Sequence, residues 1–139
     1  MVHALEESGR VLARNGRIID IRPVTSYPPI EVITGDGTRL AGRADDSLGL
    51  PDDQAANHAV AEALRQGVFF KETEAQFQFM YYWDTLAQMQ AYVEERLSDW
   101  IILGKTTLQN VSRLLSESSG QVQLRLSLEV LISVYRKPG

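Results

Sequence analysis

From Val122 to Val134 every second residue is aliphatic: Val122, Leu124, Leu126, Leu128, Val130, Ile132 and Val134. Only a strand keeps such a series on one side, since a helix would scatter it around its axis. A second alternation fills 68–83. Ala75, Phe77, Phe79, Tyr81 and Trp83 point one way, and Glu74, Gln76, Gln78, Met80 and Tyr82 the other. Two strands this long need a sheet, and the sheet needs helices on it. The segment between them supplies two. Thr85-Leu86-Ala87-Gln88 is a capping box that predicts a helix to about Ser98, with Leu86, Met89, Tyr92, Val93, Leu97 and Trp100 on its apolar face. A further helix is predicted over 105–118, with Leu108, Val111, Leu114 and Leu115 inward and Gly120 as its stop.

Upstream, residues 3–13 read as a short helix carrying Leu5, Val11 and Leu12, ended by Asn15-Gly16. Residues 16–22 read as a strand. Its apolar residues Ile18, Ile19 and Ile21 are nearly continuous, which predicts burial on both faces. A hairpin follows over 30–43 around Gly35-Asp36-Gly37. A helix over 53–66, capped by Asp52 or Asp53, would bury Ala55, Ala56, Ala59, Val60, Ala63 and Leu64 and stop at Gly67. The predicted fold is α/β tending to α+β: helices cover a mixed, largely antiparallel sheet, and residues 1–139 form one domain.

Composition removes several classes of function. The chain of 139 residues has no cysteine, so disulfides, thiolate catalysis and Cys-ligated metals are out, and a cytoplasmic location is expected. A net charge of -4 argues against nucleic acid as a partner. No apolar run approaches the length of a membrane span, and the N-terminus lacks the pattern of a secretion signal.

Few motifs carry chemistry. Gly104-Lys105-Thr106-Thr107 has the tail of a phosphate-binding loop, but Asp99 stands where its first glycine belongs, so a helix start capped near Thr106 or Thr107 is expected. Asp45, Asp46, Asp52 and Asp53 lack the spacing of a calcium loop and read as a solvated loop. His3 and His58 are isolated and make no metal site. Arg10, Arg14, Arg17 and Arg22 could hold an anion, although solvated positions explain them equally well. The cluster Phe69, Phe70, Phe77, Phe79, Tyr81, Tyr82 and Trp83 is the most conspicuous feature. Packing under a helix is expected for Phe77, Phe79 and Tyr81, while Tyr82, Trp83 and Asp84 sit where a cleft mouth would form.

A family resemblance lies in Glu6 to Ile21. Arg10-Val11-Leu12 followed by Gly16 and Ile18-Ile19-Asp20-Ile21 resembles the helix–glycine–strand passage of class I S-adenosylmethionine-dependent methyltransferases, with Arg14-Asn15 in place of the usual Pro-Gly. The later order is similar to the C-terminal half of such enzymes: a helix, a long strand, the Tyr82–Met89 segment, and a final strand ending Val-Tyr-Arg-Lys. The glycine-rich cofactor loop and the ribose-holding acid have no counterpart here, so the resemblance implies no cofactor-binding residue. It implies half of a Rossmann-like fold, non-catalytic alone, acting as an association or binding module or as the second half of a split methyltransferase. Asp20, Arg22, Tyr82, Trp83 and Asp84 would form a substrate-side wall, since open α/β sheets place ligands at strand ends. The other reading is a small α+β enzyme or ligand-binding protein with a pocket beside strand 68–83. The expected partners are a second copy, meeting through the 17–22 edge, the 30–43 hairpin or the helix at 3–13, and a chain carrying the cofactor-binding half. Replacing Ile19 with Lys is expected to break both fold and dimer.

Overall fold

A computed structural model describes residues 2–139. The elements are α1 (Val2–Val11), β1 (Arg17–Pro23), β2 (Pro29–Thr34), β3 (Gly37–Arg43), a 3₁₀ turn (Ser47–Gly49), α2 (Leu50–Arg65), β4 (Phe70–Trp83), α3 (Leu86–Tyr92) continuing into a π-helical turn (Val93–Leu97), α4 (Lys105–Ser116) and β5 (Gln123–Arg136). This is a mixed α+β chain with an open antiparallel sheet, as the alternations require. The sheet runs β1-β5-β2-β3, and β4 also pairs with β5. No helix among the described residues is long and apolar enough to cross a membrane.

The chain divides into two compact units, each using part of the long strands. A terminal unit contains the residues up to Val24, Leu50–Phe77 and Val130–Gly139; a central unit contains Thr25–Gly49 and Gln78–Glu129.

In the terminal unit, β1 pairs with the last part of β5, from Arg17 opposite Arg136 to Pro23 opposite Val130. Asn15 turns the chain into β1 with a φ of 60°, a conformation that asparagine tolerates better than most residues. Ile18, opposite Tyr135, faces the helices, where Leu5, Leu12, Val60 and Leu64 pack around buried Ala63, Phe69 and Tyr135. The expected burial of β1 on both faces is corrected here. Ile19 is 62% exposed and Ile21 58% exposed, because α1 and α2 pack on the Ile18 side alone. Val11 and Ala55 likewise turn to solvent. α2 begins at Leu50, three residues before the expected helix, so Asp52 and Asp53 stand in its first turn rather than at its cap. A carboxylate is favourable there too, against the positive end of the helix dipole.

In the central unit, Gly35-Asp36 makes a two-residue loop between β2 and β3, and β2 pairs with β5 from Ile30 opposite Leu126 to Ile33 opposite Gln123. Leu124, Leu126 and Leu128 are buried with Ile30, Val32, Met89, Leu97, Val111 and Leu114. The α4 helix lies on β3 so closely that a Cβ at Gly42 would collide with the Thr107 side chain. Thr107 is therefore a packing residue, not the expected cap, and Gly104 occupies the cap position without a side-chain bond. The Thr85 cap is as expected: its hydroxyl accepts the Gln88 N–H at 3.1 Å. The helix it opens does not continue as α to Ser98, however, but widens to π geometry at Val93.

Candidate functional site

The residues proposed as a substrate-side wall fall into two groups, and each group lies in its own unit. In the terminal unit Asp20 and Arg22, two apart on β1, share a face. Arg22 Nε lies 3.0 Å from Asp20 Oδ2, close enough for charge attraction, yet it is buried without an aligned hydrogen bond. Its Nη1 donates to Asn57 Oδ1 at 3.3 Å. Beside them the fully buried Ser133 donates to Glu74 at 3.1 Å, and Lys71 donates to the same carboxylate at 2.6 Å. Those two bonds, Lys71 first, hold the Glu74 carboxyl below its ordinary range, and the charge of Arg22 adds to them.

Chemically this is a stable polar network rather than a nucleophile with its base. A serine is activated by a partner ready to take its proton, and a carboxylate with a lowered pKa is a poorer acceptor. The one mid-chain histidine, His58, is exposed on α2. The N-terminal arginines do not converge on an anion site either. Arg10 pairs with Glu7, Arg22 with Asp20, and Arg17 joins Arg136 on Glu72.

The second group, Tyr82, Trp83 and Asp84, lies in the central unit and does not converge. Tyr82 and Trp83 are successive strand residues and so leave β4 on opposite faces. The Tyr82 hydroxyl donates to the Met80 sulfur at 3.3 Å. On the Tyr82 side, Arg125 reaches Glu31 at 2.7 Å. Glu31 first, then the Tyr82 phenol, raise the Arg125 pKa. Asp84 serves the start of α3: its backbone N–H donates to Gln88 Oε1 at 3.0 Å, completing a variant of the capping box.

Trp83 joins a row of rings instead. Phe79 meets Tyr81 edge-on at 5.1 Å between centroids, Tyr81 stacks on Trp83 at 5.7 Å, and Tyr92 of α3 touches both Tyr81 and Trp83. Burial, then Tyr92, pushes the Tyr81 phenol above its ordinary range. Tyr81 packs on the central core as expected, but Phe77 and Phe79 are corrected: they are 43% and 49% exposed. Among the described residues no helix covers them within their units. Alternation showed which side chains share a face; whether a helix covers that face depends on tertiary placement.

Sequence reasoning missed three arrangements. Asp46 of the acidic loop is buried, not solvated, and accepts the N–H groups of Ser26 and Tyr27 at 2.9 and 3.0 Å. That grip, with Arg43 donating to the Tyr27 carbonyl, holds Tyr27 at a φ of 52°, uncommon for a tyrosine. The Glu31–Arg125 pair and the membership of Tyr92 in the ring row join residues distant in sequence, which no local pattern announces. Among the described residues no cluster of acidic and histidine side chains could hold a metal ion. The central unit has an open cleft of about 340 Å³ along the π turn and the residues after it, lined by Val93, Ile101, Ile102 and Leu108 among others. The terminal unit has a cavity of about 10 Å³, room for one water at most. Neither is lined by a residue of the expected wall. Comparison with protein-family models, with curated proteins and with solved structures found no match.

Proposed function

We propose that the chain is a methyltransferase-like half domain that acts by association, in a reducing cytoplasm that suits a cysteine-free sequence. The observation that carries this reading is β1. Among the described residues it is paired on one edge only, with Ile19 and Ile21 open on one face. An interior strand taken from a larger sheet has these properties, and unpaired backbone groups beside exposed isoleucines invite a further strand and layer from a partner chain. A partner bearing the cofactor-binding half would supply both. Asp20 and Arg22, from the middle to the end of this strand and on the face opposite Ile19 and Ile21, are the residues that would then face a substrate.

Titration calorimetry with S-adenosylmethionine tests the reading. The chain alone should give no saturable heat, and clear binding would show that it holds a complete cofactor site. Because Ile19 is exposed, Ile19→Lys should leave the fold standing, with a change within about 0.5 kcal/mol, as for other surface substitutions. The alternative, a ligand pocket beside strand 68–83, has less support. The rings there lie 5.1–5.7 Å apart and so fill their own space.

A further inference from the structure

The part of β4 that belongs to the central unit, Gln78–Trp83, has a free edge: among the described residues β4 pairs only with β5. Sheet edges are usually blunted by proline, by a charged side chain, by a bulge or by shortness. This stretch contains no proline, glycine or charged residue, and Phe79, Met80 and Tyr82 are all exposed.

We propose that this edge is a self-association surface, at which a second copy of the chain adds its own Gln78–Trp83 antiparallel about a two-fold axis through Tyr81. In an antiparallel pair, directly opposed residues lie on the same face, so a two-fold pairing sets residues of like parity against each other. With the axis at Tyr81, Phe79 meets the partner's Trp83, and Met80 meets the partner's Tyr82. Aromatic and thioether–aromatic pairs are among the favourable cross-strand contacts. The row Phe79–Tyr81–Trp83 then continues into the partner's row. The one charged residue adjoining the paired run on its own strand, Asp84, falls opposite the partner's Gln78, whose amide gives one hydrogen to Glu129 of its own chain and has a second to donate. A parallel pairing in register would set Asp84 against the partner's Asp84 instead. Complementarity in both charge and ring placement therefore favours this chain's own edge as the occupant over an unrelated peptide.

The size of the surface sets its strength. Phe79, Met80 and Tyr82 are each roughly half exposed, so about 300 Å² of side chain per copy is available. That is well short of the roughly 800 Å² per partner of a standard stable interface. The dimer is therefore weak and exchanging, populated only at tens to hundreds of micromolar. It is separate from the association proposed for β1.

The absence of cysteine makes the register measurable. A single Gln78→Cys carries one nitroxide label per chain. Six residue steps between Gln78 and the position facing the partner's Gln78 put the two labels about 20 Å apart. Sedimentation velocity should show monomer near 1 µM and a rising dimer fraction toward 500 µM, with the pulsed electron–electron distance distribution centred near that value. Phe79→Lys should abolish the dimer while keeping the circular dichroism spectrum and melting midpoint. Monomer alone at 500 µM would overturn the proposal. So would a label distance outside about 15–30 Å, or a dimer that survives Phe79→Lys but is lost in Ile19→Lys. That last result would assign self-association to β1.

Discussion

One strand, β5, is used in two ways. In the central unit its even-numbered residues Leu124, Leu126 and Leu128 are buried in a broad aliphatic core. In the terminal unit the even-numbered Val130 is still buried, but beyond it the odd-numbered Ser133 and Tyr135 are buried while Ile132 and Val134 on the even side stay partly open. The apolar core of the terminal unit is small, centred on Ala63, Phe69 and Tyr135. Polar links join its strands: Arg17 of β1 and Arg136 of β5 meet on Glu72 of β4, and Ser133 of β5 donates to Glu74 of β4, which Lys71 of the same strand also engages. The same aliphatic alternation thus supports an oily core in one place and a polar mesh with an open apolar face in the other. Periodicity assigns side chains to faces, but not coverage to a face.

The contrast is most open to attack along β5 itself. Leu126→Ala should cost about 2–5 kcal/mol, as for other fully buried leucines, whereas Ile132→Ala, of the same parity but half-buried, should cost about 1 kcal/mol. Urea unfolding of both variants checks this, and equal losses would erase the distinction between the units. Next in size is Gly42→Ala. The added methyl has to displace Thr107 and with it α4, at about 1–3 kcal/mol of overpacking. Paired with Thr107→Ala, the loss should shrink, since the two nearest colliding atoms are the threonine hydroxyl and methyl.

The smallest effect concerns acid. In the terminal unit the carboxyls of Glu62, Glu72 and Glu74 are all held below their ordinary range, Glu62 at about 2 chiefly through its bonds from Arg65 and Gln66. A group whose pKa falls on folding stabilises fully above its unfolded value of 4.5 and loses that contribution as pH drops through the folded one. Stability should therefore decline below about pH 4.5, modestly because these groups are exposed and screened. Glu62→Gln should flatten that decline in melts recorded from pH 6 to 2.

Much of the fold could be read from the sequence because it rests on local rules. The Val122–Val134 alternation, the Thr85 cap, the Gly35-Asp36 turn and the Asn15 stop each act within a few residues, and each element stands within a few residues of its expected place. The expected site was less legible. Asp20 and Arg22 do come together, being two apart on one strand, but Tyr82 and Trp83 diverge for the same geometric reason. The buried Asp46, with its hold on Tyr27, depends on contacts 19 and 20 positions away, beyond any periodic signal.

The π-helical turn at Val93–Leu97 frees chain length from angle. A π turn holds more residues than an α turn, so it is the place where a helical run absorbs an extra residue. Removing one residue between 93 and 97 would restore ordinary α geometry and leave the downstream phase as it is, because the turn already takes up the extra residue. Leu97 and Ile101, both buried in the central core, would keep facing it. Removing a residue from a helix without such a turn would instead rotate everything after it by about 100°. In this segment a deletion is absorbed by the loss of the bulge, and a homologue one residue shorter here can keep the same apolar positions on the same core.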